Sequence, residues 1–190
     1  HKKMTFLYEK EQRRQELEQS KDQAKLKKKQ AKKQDLRQTV STKQLNTIME
    51  QCVKGRTEYV RARRRVAITI MYLTGLRVTN LLLINAAQLQ ELTSKGYTSI
   101  QIIKNGPSRH NIRLAYRGKK IMGQRAHDVK TITHGKEYNA PAFTPQKQIT
   151  EPINKDVHEK ELNDIMKQAS KILSKPLRTH SFRATLITDL

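Results

Sequence analysis

The chain has 190 residues, room for one modest domain and an appendage, and its 39 Lys and Arg against 17 Asp and Glu leave a formal charge of +22. Only 35% of the residues are apolar, below the usual globular share, and no run approaches the ~20 apolar residues needed to cross a bilayer. One cysteine, Cys52, excludes an internal disulfide framework and a thiolate zinc site and fits a reducing, intracellular setting, while the charge selects a polyanionic partner, nucleic acid first.

Residues 1–40 read as a basic helical arm or linker. Glu9 to Arg37 contains no Gly or Pro and is rich in Glu, Gln, Lys, Ala and Leu, all good helix formers. Leu17, Ala24, Leu26, Ala31 and Leu36 are too sparse for a wide buried stripe. The segment is therefore either a solvated charged helix or an arm laid along phosphates through Lys27, Lys28, Lys29, Lys32 and Lys33. The positive surplus is not confined to it: residues 41–140 hold 18 basic and 5 acidic side chains.

A folded domain is expected over 41–190. Ser41 or Thr42 caps a helix running through Glu50–Cys52, with Leu45, Ile48, Met49 and Val53 on one face. A basic helix follows from about Thr57, carries Arg61, Arg63, Arg64 and Arg65, turns apolar from Val66 to Leu73, and breaks at Gly75. A second buried helix opens near Arg77 and runs along Leu81-Leu82-Leu83-Ile84. Thr98 to Lys104 alternates as a strand, Asn105-Gly106-Pro107 is a turn, and Arg109 to Leu114 returns to complete a hairpin. Residues 117–150 read as irregular and basic. Lys155 to Leu173 is an amphipathic helix, with Asp156 and Glu159 resembling a capping box and Val157, Leu162, Ile165, Met166, Ala169, Ile172 and Leu173 at helical spacing; Pro176 stops it. A last helical pattern starts at His180.

Three stretches place a cation or proton donor beside structure that can hold it still. Arg77 follows a glycine turn and opens an apolar helix, where a guanidinium anchored by the core can grip a phosphate. Lys104 ends a strand at a turn. His180 and Arg183 are three apart, so they share a helix face and can address one anion, with Phe182 and Leu186 pinning that helix from the core side. Each alone also fits a general phosphate contact or a solvated charge. Their order and surroundings carry the weight.

Tyr72-Leu73-Thr74-Gly75-Leu76-Arg77-Val78-Thr79-Asn80-Leu81-Leu82 resembles the first-arginine motif of the tyrosine recombinase (phage-integrase) family. Ile103-Lys104-Asn105-Gly106-Pro107-Ser108-Arg109 through Ile112-Arg113-Leu114 resembles that family's hairpin with its lysine, and Leu177-Arg178-Thr179-His180-Ser181-Phe182-Arg183 its His-x-x-Arg box. The resemblance implies an α+β, mainly α-helical catalytic domain with a small antiparallel sheet, preceded here by the charged helix. It implies transesterification on double-stranded DNA through a 3′-phosphotyrosyl link, without metal or nucleotide cofactor, and self-assembly on DNA into a tetrameric synapse. Arg77 and Arg183 would stabilise the phosphate's developing charge, Lys104 would protonate the leaving 5′-oxygen, and His180 would assist proton transfer. Candidate DNA contacts are Arg61, Arg63, Arg64, Arg65, Arg109, Arg113, Lys119, Lys120, Lys27 and Lys28.

The sequence departs from the family pattern at Asn80, where many members carry an acidic residue. The family also places a second His or Trp, and then the Tyr nucleophile, after the His-x-x-Arg box. This chain ends seven residues after Arg183, and none of its six tyrosines (Tyr8, Tyr59, Tyr72, Tyr97, Tyr116, Tyr138) lies there. It is therefore expected to be a fragment that does not cleave DNA alone. The rival reading is a non-catalytic basic DNA- or RNA-binding protein. Richness in Lys, Gln, Ile and Asn points to an AT-rich genome, that of a plastid, a mitochondrion or an AT-rich microbe.

Overall fold

The structure is a computed structural model that describes residues 2–35, 38–103 and 107–188. Its contacts divide the chain into two units, 1–37 and 38–190. The first unit is one helix, α1 (Lys2–Asp35). It starts earlier than the composition suggested, because Lys2 to Tyr8 also lacks a breaker. Leu17 and Leu26 are exposed, and so are Lys27 and Lys28. The described side chains of this helix thus bury no apolar stripe, as their spacing required.

The second unit begins with α2 (Thr42–Thr47), whose N-terminus is closed by a reciprocal capping box between Ser41 and Gln44. The helix then widens into one π-turn, Ile48–Cys52, with Val53 N–H donating to Ile48 O. Leu45, Ile48, Cys52 and Val53 are thereby buried. Helix α3 (Glu58–Thr74) is capped by the Thr57 hydroxyl and ends at Gly75, whose φ of 64° is left-handed backbone that a glycine adopts without strain. Every residue from Val66 to Tyr72 is buried, so α3 is the central element, packed on by later helices.

After Gly75 comes a single helical turn, α4 (Val78–Leu81), rather than the longer helix expected along the leucine run. The reason is local. Asn85 and Gln88 form a second capping box and start a separate helix, α5 (Ala86–Lys95), which buries Leu89 and Leu92 and ends at Gly96. The hairpin follows as expected, with β1 (Tyr97–Ile103) antiparallel to β2 (Pro107–Arg113) and Ile100 opposite His110. Thr98, Ile100 and Ile112 are buried, and β1 packs on α5.

The stretch expected to be irregular over 117–150 contains two helices, α6 (Tyr116–Gly123) and α7 (Ala126–Thr133). Their buried apolar residues are few, Met122 on one and Val129 and Ile132 on the other, and Lys and Arg dilute the periodicity between them. Helix α8 (Lys155–Ile172) is capped by Asn154, which accepts from the N–H groups of Asp156 and Val157, and not by a box of Asp156 and Glu159. Val157 and Ile172 are exposed, whereas His158 takes a fully buried position. Helix α9 (Ser181–Thr188) ends the described chain. The unit is thus mainly helical with one small antiparallel sheet, the α+β class expected. None of its described helices is long and apolar enough to cross a membrane.

Candidate active site around Arg77, His180 and Arg183

Leu76 is buried, and its N–H donates to the Thr74 hydroxyl at 3.2 Å, so the turn after α3 is held from below. Arg77, next in the chain, is exposed. Its carbonyl accepts from Asn80 and Leu81 at 2.9 and 3.2 Å. With α4 only one turn long, the helix adds little dipole, and the guanidinium itself carries the anion-binding character.

The second half of the site comes from the other end of the chain. Leu177 and Phe182 are buried on either side of His180, Arg178 N–H donates to the Ser181 hydroxyl at 3.0 Å, and Arg183 N–H donates to His180 O at 3.1 Å. This fixes the start of α9 and leaves His180 and Arg183 exposed. A cavity of about 170 Å³ is lined by Arg77, His180 and Arg183 together, over a floor of Met71, Leu76 and Val78. Lys155, Glu159 and Thr179 also line it. The sequence reading missed these three; the only signal available was the i,i+4 spacing of Lys155 and Glu159, which puts both on one face of α8. Among the described residues neither Arg77 nor Arg183 is in an ion pair.

Lys104 lies outside the described residues. The strand leading to it is held near Arg77, because Ile103 N–H donates to Asn80 Oδ1 at 3.4 Å and Asn80 is buried. Asn80 thus uses its carbonyl oxygen as an acceptor, a role that needs no charge.

The arginines of α3 behave differently. Arg63 is 3% exposed; it donates to Thr144 O at 2.9 Å and to both carboxylate oxygens of Glu161 at 2.9 Å. Its guanidinium is thus turned to partners inside the unit and not to solvent, where a DNA contact would need it. Arg64 donates to Glu161 at 2.9 Å and to Lys54 O. Arg65 is clamped between Asp128, at 2.6 Å, and Glu58, and Arg61 pairs with Glu58 at 2.8 Å. These four form no free cationic row. Arg109, Arg113, Lys119 and Lys120 are exposed on β2 and α6, with Arg109 Nε on the Ser99 hydroxyl at 2.7 Å.

The Arg63–Glu161 pair sits beside His158, whose Nδ1 is 3.6 Å from Glu161 Oε2, too long for a hydrogen bond. Burial pushes the His158 imidazole below its ordinary value and keeps it neutral. Burial acts to raise the Glu161 carboxyl, but the Arg64 and Arg63 guanidiniums outweigh it and the carboxyl lies at about 2. Lys136 donates to Pro141 O and Ala142 O at 3.0 and 2.7 Å, and burial lowers it to about 8. These groups tie loops and helices together away from the cavity.

The phage integrase family profile matches residues 38–190. This chain belongs to that family. Its fold is similar to that of XerH site-specific recombinase bound to difH substrate in a pre-cleavage complex (TM-score 0.51, 19% identity, 79% of this chain and 41% of that one). It is likewise similar to XerH bound to a palindromic difH substrate in a post-cleavage complex (TM-score 0.50, 20% identity, 78% and 40%). The chain thus spans about two fifths of the length of those recombinases. No curated protein matched it. For a phage integrase family chain, the cavity joining Arg77 to the His180–Arg183 pair is the candidate active site.

Proposed function

We propose that this chain is the catalytic-domain part of a tyrosine recombinase, which cleaves and rejoins DNA strands at a specific site through a 3′-phosphotyrosyl intermediate. The observation that carries the reading is the cavity itself. Arg77 and the His180–Arg183 pair, groups suited to a phosphate and more than a hundred positions apart in the chain, line one small concavity in a phage integrase fold. Arg77 and Arg183 bind the two non-bridging oxygens of the scissile phosphate and stabilise the charge that builds in the pentacoordinate transition state. Losing one such donor typically costs on the order of 10²–10³ in rate. His180 hydrogen-bonds the phosphate and helps move the proton from the attacking hydroxyl, and Lys104 protonates the 5′-oxygen that leaves. Among the described residues no tyrosine lines the cavity, so the reading requires the nucleophile from elsewhere. Double-stranded DNA is the substrate, and several copies assemble on it to exchange strands.

The test uses the full-length gene product and a nicked suicide duplex from its own element. A protein–DNA adduct that survives boiling in detergent is expected, and Arg77→Ala abolishes it. A full-length protein that binds the duplex but never forms the adduct would instead be the non-catalytic basic DNA-binding protein.

A further inference from the structure

The first residues of the second unit contact supports of both arginines. Val40 is fully buried, and its N–H donates to the Thr185 hydroxyl at 2.8 Å, while that hydroxyl donates to Ser181 O at 3.2 Å. Lys175 Nζ reaches back from the loop after α8 to Thr39 O. Thr42 Oγ1 accepts from Arg117 at 2.7 Å and shares a hydrogen with the Tyr72 hydroxyl at 3.2 Å. Tyr72 lies on the last turns of α3, five residues before Arg77, and its ring meets Phe182 of α9 edge to face. Residues 39–42 therefore hold α9 through Thr185 and α3 through Tyr72. Arg183 stands between Phe182 and Thr185, on the helix so held.

We infer that Thr39–Thr42 is a positioning segment for the candidate active site, and that Thr185 is a positioning residue setting where Arg183 points. The inference rests on the reading of Arg77, His180 and Arg183 as the phosphate site. Its physical content is that transition-state stabilisation depends steeply on placement. A guanidinium displaced by a fraction of an ångström still attracts DNA but no longer meets the developing charge. The segment is also where the polypeptide from residue 38 joins the unit.

The experiment compares full-length wild type, Thr185→Val, Thr185→Ser and Thr42→Val. Valine keeps the shape of Thr185 but leaves the buried Val40 N–H without its acceptor; serine restores the acceptor. Single-turnover cleavage of the suicide duplex at saturating protein separates the rate constant from the amplitude. Thr185→Val is expected to lower the rate constant about ten- to a hundredfold, with duplex affinity unchanged within about twofold, and Thr185→Ser to restore it. Thr42→Val, at a half-buried site, is expected to slow cleavage severalfold. A loss of amplitude alone at an unchanged rate constant, or a Thr42→Val protein as fast as wild type, overturns the inference. If wild type itself forms no adduct, the proposed function fails, and the positioning role is read from inorganic phosphate binding instead, followed by the Arg183 Nε–H signal. Weaker binding in Thr185→Val that Thr185→Ser recovers supports the role, and equal binding in all proteins overturns it.

Discussion

Tyr72 and Phe182 meet edge to face, with ring centroids 6.2 Å apart and planes at 88°. One ring belongs to the first-arginine motif and the other to the His-x-x-Arg box, so the two halves of the candidate site are joined through their apolar neighbours. Phe182 is 1% exposed. Phe182→Ala removes both the ring contact and a core side chain, and it is expected to destabilise the protein by about 3–5 kcal/mol. Phe182→Leu keeps most of the volume and should cost much less, about 1–2 kcal/mol. Urea unfolding midpoints of the two variants decide the point, and equal midpoints would deny Phe182 a place in the core.

Arg77 and Arg63 make a paired prediction. Arg77 is exposed and in no ion pair among the described residues, so Arg77→Ala should leave stability within about 0.5 kcal/mol of wild type while removing DNA cleavage. Arg63→Ala should do the reverse. It leaves the half-buried Glu161 carboxylate to Arg64 alone and removes a buried side chain, and it is expected to cost clearly more stability than Arg77→Ala. Thermal melts and suicide-substrate cleavage of both variants test the pair, and a destabilised Arg77→Ala would show that it too is structural.

This pair also marks how far the sequence could be read. Both are arginines beside apolar helical runs, and no local pattern separates them, since the carboxylate that claims Arg63 lies 98 residues away. Features set by neighbours in the chain were legible: the Ser41 cap, the start of α3 near Thr57, the Gly75 stop and the hairpin. Helix α5 was legible in principle, through Asn85 and Gln88, but the preceding leucine run has the pattern of one longer helix. Helices α6 and α7 were hidden because each buries only one or two apolar side chains among cations, so tertiary contact decides them. The exposure of Val157 and the burial of His158 invert the hydropathy order at adjacent positions. That inversion reflects the room left beside Phe143 and Glu161, which no spacing encodes.

Exposed cations should show themselves through salt. Lys119 and Lys120 on α6 and Arg113 on β2 are candidate phosphate contacts. If each neutralises one phosphate, each alanine variant flattens the plot of log affinity against log salt by about 0.9. An alanine at Arg65, clamped by Asp128 and Glu58, should leave that slope unchanged. Duplex-binding titrations between low and moderate salt give the slopes. A flattening in Arg65→Ala as large as in Lys119→Ala would reverse the assignment of faces.

Acid should weaken the fold in two steps, both traceable to α8. Burial holds His158 below 6.5, so as pH falls past 6.5 the unfolded chain takes up a proton that the native imidazole refuses. Stability present above that pH is therefore lost as pH drops toward the lowered native value. Glu161 titrates at about 2 in the native state against an ordinary 4.5, so its contribution is full above 4.5 and disappears between 4.5 and 2. The groups facing this pair are Arg63 and Arg64 from α3 and the Phe143 ring from the loop before α8. Among the described residues neither ring nitrogen of His158 finds a hydrogen-bond partner. His158→Leu should then keep or improve stability at pH 7 and erase the upper step, because an apolar side chain carries no desolvation cost there. Glu161→Gln should erase the lower step and lower stability at pH 7, since it leaves two guanidiniums facing each other without their carboxylate. Urea midpoints measured from pH 8 to pH 3 separate the steps. A wild-type curve flat between pH 7 and 5 would mean that His158 titrates alike in the folded and unfolded chains, and a stability that rises as pH falls would mean that it is charged and paired with Glu161.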